Sequence, residues 1–368
     1  MSVPQPPNQW GAQPPAGGPQ WGPPPSGVPQ WVPQGPPPSG GGKGKWIFGG
    51  IALLAVIAVT VVITVLVVGK NSGGSESPTP TNGNGSDFAS ANDKGPVGII
   101  TEDPTCDAWN RIVDGLSAQE RNVDWAARDK SVPATAWTSR QRTSYESVAK
   151  AMRAGADQTA ALAKRTPHRV MRELYAQFGV YVSAFDEKVQ TYTSRDQHLP
   201  EVVDGIAASL VNICAAVSYG VAQAQAPLVP VAVAPSDLPP VADPATSPRF
   251  VESRTQVCDD LTAVYEKFDA DTTSWRSLQS DLPADQWSPE QKALNDAVVP
   301  VMSAFAEDLE GLGRRGNNAT LNDFTELSAQ YRRAFVLALP SYRPVDNYLA
   351  NASTNLVKTM YSACKAVG

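Results

Sequence analysis

Nucleophiles, bases and metal ligands are scarce in this 368-residue chain, which holds four cysteines (Cys106, Cys214, Cys258, Cys364) and two histidines (His168, His198). A zinc site needs three or four thiolate, imidazole or carboxylate ligands brought together, and no such spacing occurs once the cysteines are paired off. His168 and His198 stand alone in polar contexts, which favours solvated side chains over a metal ligand or general base. Ser147-x-x-Lys150 and Ser362-x-x-Lys365 match the short Ser-x-x-Lys form of penicillin-interacting enzymes, but the accompanying Lys-Thr-Gly is missing. Gly40-Gly41-Gly42-Lys43-Gly44-Lys45 resembles a phosphate loop only faintly, since no Ser or Thr follows the lysine. Asn318-Ala319-Thr320 and Asn351-Ala352-Ser353 are glycosylation sequons only in a cell that uses them. No catalytic residue, cofactor site or metal site is expected, and the chain reads as a non-enzyme.

The cysteines have another use, because they bracket two stretches that repeat one another. Trp137 precedes Cys214 by 77 positions, and Trp287 precedes Cys364 by 77. Tyr181-x-x-Ala184-Phe185 recurs as Tyr331-x-x-Ala334-Phe335, all at an offset of 150. His168 falls on Asn318 in this register, so no histidine chemistry is duplicated. Trp137 and Trp287 are the shared positions most open to a ligand role. Each is either an exposed aromatic platform or a hydrophobic staple beneath the following helix. Only the interval from the first cysteine to the tryptophan differs, by two residues, which places the drift in the first interhelical loop.

Each repeat reads as four amphipathic helices. The clearest stripe is Leu294, Val298, Val301, Met302, Phe305, Leu309 and Leu312, spaced i, i+3, i+4, i+7. Thr138-x-x-Gln141 and Ser288-x-x-Gln291 are capping boxes at the start of the second helix of each copy. The expected fold is all-α: two tandem, duplicated four-helix bundles. Up-down-up-down connectivity puts the start of helix one beside the end of helix four. That predicts Cys106–Cys214 and Cys258–Cys364 disulfides among the three connectivities four cysteines allow; the alternative is four free buried thiols.

The remaining sequence suggests how the bundles are held. Residues 1–42 carry no charged side chain and are mostly Pro, Gly, Gln, Ser and Trp, a composition that cannot bury a core. Trp46–Val68 is an uncharged apolar run of 23 residues, about 34 Å as a helix against a bilayer core of about 30 Å. The run is longer than a signal-peptide core and begins too far in, so an uncleaved anchor is expected. Lys43 and Lys45 precede it and Lys70 follows; together with disulfides, which persist only outside reducing compartments, this favours a cytoplasmic N-terminus. The predicted organisation is thus a disordered cytoplasmic tail at 1–45, a span through the lipid bilayer at 46–68, a flexible stalk at 69–97, repeat 1 at 98–226, a Pro-rich linker at 227–248 and repeat 2 at 249–368. All charge before residue 71 is those three lysines, leaving −9 on the exterior part, which argues against nucleic acid as a partner. In the tail, Asn8-Gln9-Trp10-Gly11, Pro19-Gln20-Trp21-Gly22 and Pro29-Gln30-Trp31-Val32 are either a ligand for a cytoplasmic partner or a simple tether.

An uncharged Pro-Gln-Trp-Gly tail, one span, a Ser/Gly/Pro/Thr stalk and a cysteine-bracketed exterior domain together resemble the proline-rich single-pass membrane proteins of actinobacteria. The resemblance rests on the first 90 or so residues and implies a plasma-membrane, cell-envelope location. The leading expectation is an envelope protein whose duplicated helical domain binds a protein or envelope partner. The alternative is a lipid or apolar ligand held along the bundle axes.

Overall fold

The computed structural model describes residues 87–368 except Ala242 and Gln279. The expected tail, span and most of the stalk lie outside the described residues. Ten α-helices follow: α1 Cys106–Asn122, α2 Ser139–Arg165, α3 Arg169–Lys188, α4 His198–Ser218, the short α5 Val221–Gln225, α6 Gln256–Asp271, the short α7 Thr273–Arg276, α8 Pro289–Arg315, α9 Ala319–Ala338 and α10 Asn347–Ala366. No strand occurs among the described residues. The fold is all-α, built on a duplicated four-helix plan.

The offset of 150 survives in the fold. α2 and α8 are both 27 residues long and α3 and α9 both 20, with ends in register. Both second helices start with the expected capping box: Gln141 N–H donates to Thr138 Oγ1 and Gln291 N–H to Ser288 Oγ, each at 3.2 Å. The Gln side chains close the box on the Thr138 and Ser288 N–H groups at 2.9 and 2.8 Å. Even the loop hydrogen bonds repeat, Ala134 N–H to Tyr192 O at 2.8 Å and Ala284 N–H to Tyr342 O at 2.9 Å. Since the two caps have the same geometry, Thr138→Ala and Ser288→Ala should each lower stability by about 1 kcal/mol. Urea melts of the two variants check this, and a twofold difference between them would break the equivalence.

The two-residue drift sits where the first helix ends. Trp125 and Trp275 are again 150 apart, whereas Cys106 and Cys258 are 152 apart. In repeat 1 the chain leaves α1 through Asp124, a non-glycine residue at φ +52°. In repeat 2, α6 runs to Asp271 and α7 begins two residues later. Sulfur atoms join at 2.08 Å for Cys106–Cys214 and 2.00 Å for Cys258–Cys364, each tying the first turn of a first helix to the last turn of a fourth.

Aromatic rings pack within each core. Trp109 and Phe178 are fully buried and meet edge to face at 5.3 Å in repeat 1. In repeat 2, the buried rings of Phe268 and Phe305 stack at 3.9 Å. Residues 87–368 form one compact unit, in which α4 and α10 pack along their lengths. They run antiparallel: Tyr219, just past α4, stacks on Tyr348 at the start of α10 at 5.1 Å, while Gly205 meets Thr359 further along. α4 is also the one helix among the described residues long and apolar enough to cross a membrane. Over half of that apolar window, 56%, is buried inside the protein, and Cys214 is tied to α1, so apolar length here is accounted for by core packing.

Candidate functional site

Two features stand out from the packed bundles: a polar seam between the repeats and an exposed apolar segment joining them. The seam is built where α3 meets α9. Every residue from Arg169 to Phe178 and from Asp323 to Arg332 is buried, so these helices are enclosed on all sides. Their charged residues must therefore find partners within the protein. Arg169 donates to Asp323 through Nε at 2.6 Å and Nη2 at 3.2 Å, a bidentate pair linking the repeats. Its Nη1 donates to the Asp93 carbonyl at 2.8 Å, and its backbone N–H donates to the Asp93 carboxylate at 2.6 Å. Arg172 donates to Ser90 Oγ at 2.9 Å. The segment entering repeat 1 is thereby fastened to α3, and through Arg169 to Asp323 of repeat 2. Glu173 has Arg169 and Arg172 nitrogens at 3.9 Å, beyond hydrogen-bonding range. Burial, then the adjacent Asp323 carboxylate, pushes its pKa well above the ordinary value. Beside this cluster opens a cleft of about 220 Å³ lined by residues 96–100, Asp93, His168, Arg169 and Val170.

Burial also perturbs groups within each repeat. Glu120 is pushed up to about 8, by burial first and by Asp204 second, and Asp204 itself rises to about 6 by burial. In repeat 2 the fully buried Arg332 donates to Thr354 Oγ1 at 2.7 Å and lies 5.0 Å from the Phe268 ring centroid. Burial lowers its pKa to about 9. Its counterpart in repeat 1 is Val182, so this cation is not part of a shared site.

The residues picked out by sequence fall in separate places. His168 is the N-cap residue of α3, its Nε2 2.8 Å from the Glu102 carbonyl. His198 opens α4, with Nδ1 2.8 Å from Glu201 Oε2. Lys150 is exposed on α2, and Ser362 is buried two residues before the disulfide cysteine Cys364. No cluster of three metal-ligating side chains occurs among the described residues. Asn318, in the first sequon, caps α9 by accepting from Leu321 N–H at 2.8 Å.

Trp137 and Trp287 are both half-buried and hydrogen-bond alike, Nε1 to Val132 O at 2.9 Å and to Leu282 O at 3.0 Å. Trp137 stacks on Tyr145 at 4.0 Å and Trp287 on Tyr342 at 5.4 Å. Trp137 thus meets a ring of α2, whereas Trp287 meets Tyr342, just past α9. The equivalent pair that sequence reading missed is Trp125 and Trp275. Trp125 packs edge-on against Tyr145 at 4.8 Å, whereas Trp275 donates its N–H to Asn295 Oδ1 at 2.9 Å. Tyr145 and Asn295 occupy the same position of the repeat, so one site is satisfied by a ring and the other by a hydrogen bond.

The exposed feature is the joining segment. Leu228, Val231 and Val233 are 61, 84 and 76% exposed, and Val241 is 42% exposed. Pro227, Pro230, Pro235, Pro239 and Pro240 restrict φ along this stretch. No backbone–backbone hydrogen bond involves residues 230–241 among the described residues. Both ends are anchored: Val229 is buried, and Gln177 of α3 donates to Pro248 O at 2.8 Å and accepts from Phe250 N–H at 3.1 Å. Phe250 wedges between Tyr181 of repeat 1 and Phe324 of repeat 2, at 5.4 and 5.2 Å.

Comparison with known proteins places this architecture among relatives. A family described as mycobacterial ESX-1 associated protein matches residues 88–368, which covers both repeats and their joining segment. An uncharacterized protein of Mycolicibacterium smegmatis (strain MKD8) is 44% identical over 342 residues, covering 91% of this chain and 89% of the relative. No solved structure matches. The family match leaves out the Pro-rich tail on which the resemblance to proline-rich single-pass membrane proteins rested.

Proposed function

The chain belongs to the mycobacterial ESX-1 associated family, and on that premise we propose that it is a non-enzymatic, envelope-anchored accessory of the ESX-1 secretion system. Its duplicated helical domain presents the segment Leu228–Val241 to a partner protein of that system. The carrying observation is that this segment is irregular, apolar and exposed, yet anchored at both ends. A proline-restricted chain with free backbone groups has already lost much of the entropy that binding removes, and it suits an aromatic-lined groove. A binding role rather than catalysis is supported by the unshared cations and imidazoles, since His168 is replaced by Asn318 and Arg332 by Val182. Aromatic rings packed within each bundle, Trp109 on Phe178 and Phe268 on Phe305, favour a protein partner over an apolar ligand held inside. Anchoring through residues 46–68, with the helical domain outside the cytoplasm, completes the proposal.

The test uses a Mycolicibacterium smegmatis strain lacking the relative and complemented with the full chain. A photoreactive residue at Val231 or Val233 should crosslink to one ESX-1 component. The Val231→Asp/Val233→Asp chain should lose that crosslink and fail to restore ESX-1-dependent export, while retaining its disulfides. Full restoration by the double variant, or crosslinks only within the chain, would overturn the assignment of this segment.

A further inference from the structure

The seam between the repeats holds a carboxyl with no donor to satisfy it. Glu173 of α3 and Asp323 of α9 occupy the same position of the two repeats and face one another where the repeats meet. Neither oxygen of Glu173 has a hydrogen-bond partner among the donors around it. Arg169 is committed to Asp323 and to the Asp93 carbonyl, and Arg172 to Ser90. The group left beside Glu173 is the Asp323 carboxyl, and two carboxyls can hydrogen-bond only when one of them carries the proton.

Charge gives the same answer independently. The charged groups facing Glu173 are Arg169 and Arg172 from its own helix and Asp323 from α9, with Asp93 from the entering segment completing the cluster at 3.8 Å from Arg169. Two guanidinium groups balance the carboxylates of Asp93 and Asp323, so the cluster is neutral only with Glu173 protonated. Ionising Glu173 places an excess negative charge in a buried site against Asp323, which is costly in a low-dielectric interior. An opening of the seam would relieve it.

We propose that Glu173 stays protonated and donates across the seam to the Asp323 carboxylate, and that loss of this proton releases residues 88–100 and α9 from α3. The device works as a pH-sensitive clamp on the point where the chain enters the helical domain. The upward pKa shift of Glu173, caused by burial and by Asp323, sets its sign. The closed seam binds the proton over a range in which the open form, with an ordinary carboxyl near 4.5, does not. Closure is therefore fully favoured below that ordinary value and is lost as pH rises through the folded value.

Hydrogen–deuterium exchange on the full-length chain between pH 5 and 9, corrected for intrinsic exchange, tests the clamp. In the wild type, protection of residues 88–100 and 319–330 should fall with rising pH, by about tenfold per pH unit where opening is linked to one proton. Glu173→Gln carries the neutral form permanently, so its protection should stay flat and equal that of the wild type at acidic pH. Glu120→Gln should leave the wild-type slope intact, because Glu120 sits away from the seam. If Glu120→Gln flattens the slope, or Glu173→Gln retains it, the clamp is refuted. Should Glu173→Gln fail to fold, the Glu120→Gln chain decides: with that other buried acid removed, an infrared carbonyl band of a buried neutral carboxylic acid must vanish in step with the protection of residues 88–100 as pH rises, and no band, or one that vanishes out of step, overturns the proposal.

Discussion

Cys106→Ser/Cys214→Ser and Cys258→Ser/Cys364→Ser should each destabilise the helical domain by up to about 4.7 kcal/mol, and by nearly equal amounts. The bridges span 108 and 106 residues, and in the chain-entropy picture a closed loop of about 100 residues restricts the unfolded chain by that much at 25 °C. What distinguishes this molecule is how the loss should be shared. α4 carries one cysteine of the first bridge and packs along α10, which carries one of the second. Cutting either bridge should therefore lower the midpoint of a single urea transition for the whole domain. A biphasic melt, with one phase left at the wild-type midpoint, would mean that the repeats unfold separately and that the α4–α10 contact adds little.

Much of each repeat could be read from the sequence because its information is local. A capping box, a helix-period stripe and a cysteine near each end of the unit fix where Ser139–Arg165 and Pro289–Arg315 lie and which ends meet. The α3–α9 seam between the repeats was not legible, for a physical reason. Hydrophobic pattern identifies a buried face only when burial selects apolar residues, and the seam is held instead by Arg169, Arg172, Glu173 and Asp323. On a helix such charges look like a solvated face. The signal that could have exposed them is the register itself: Glu173 and Asp323 are equivalent acidic positions, and like charges recurring at one place in a duplication become meaningful once the copies pack about that place. Trp125 and Trp275 escaped notice because their register differs from that of the first helices, which carry the offset of 152 rather than 150. The Pro-rich joining segment was expected to be stiff and extended, and the exposure of Val231 and Val233 adds that its apolar side chains are left facing solvent.

The α4–α10 contact itself makes the second large prediction, Gly205→Val. A Cβ at Gly205 would fall 2.5 Å from Thr359 Oγ1, 3.2 Å from Thr359 Cα and 3.3 Å from Thr359 N. The hydroxyl could rotate away, but the Cα and N belong to the α10 backbone, so the helices must separate to admit a branched side chain. Overpacking of this kind costs about 1–3 kcal/mol, and because the contact joins the two repeats the upper end is expected. Helix propensity works the other way, since any residue but Pro improves on glycine within a helix by several tenths of a kcal/mol. Gly179 separates the two effects: it lies inside α3, and a Cβ there would meet nothing within 4 Å. Gly179→Ala should gain about 0.5–1 kcal/mol in a urea melt, while Gly205→Val loses about 3. Thr359→Ala in the Gly205→Val background should restore only a minor part of that loss, because the backbone obstruction stays. If it restores most of the loss, the helices are held apart by the threonine side chain alone, and the close approach of α4 and α10 is not what joins the repeats.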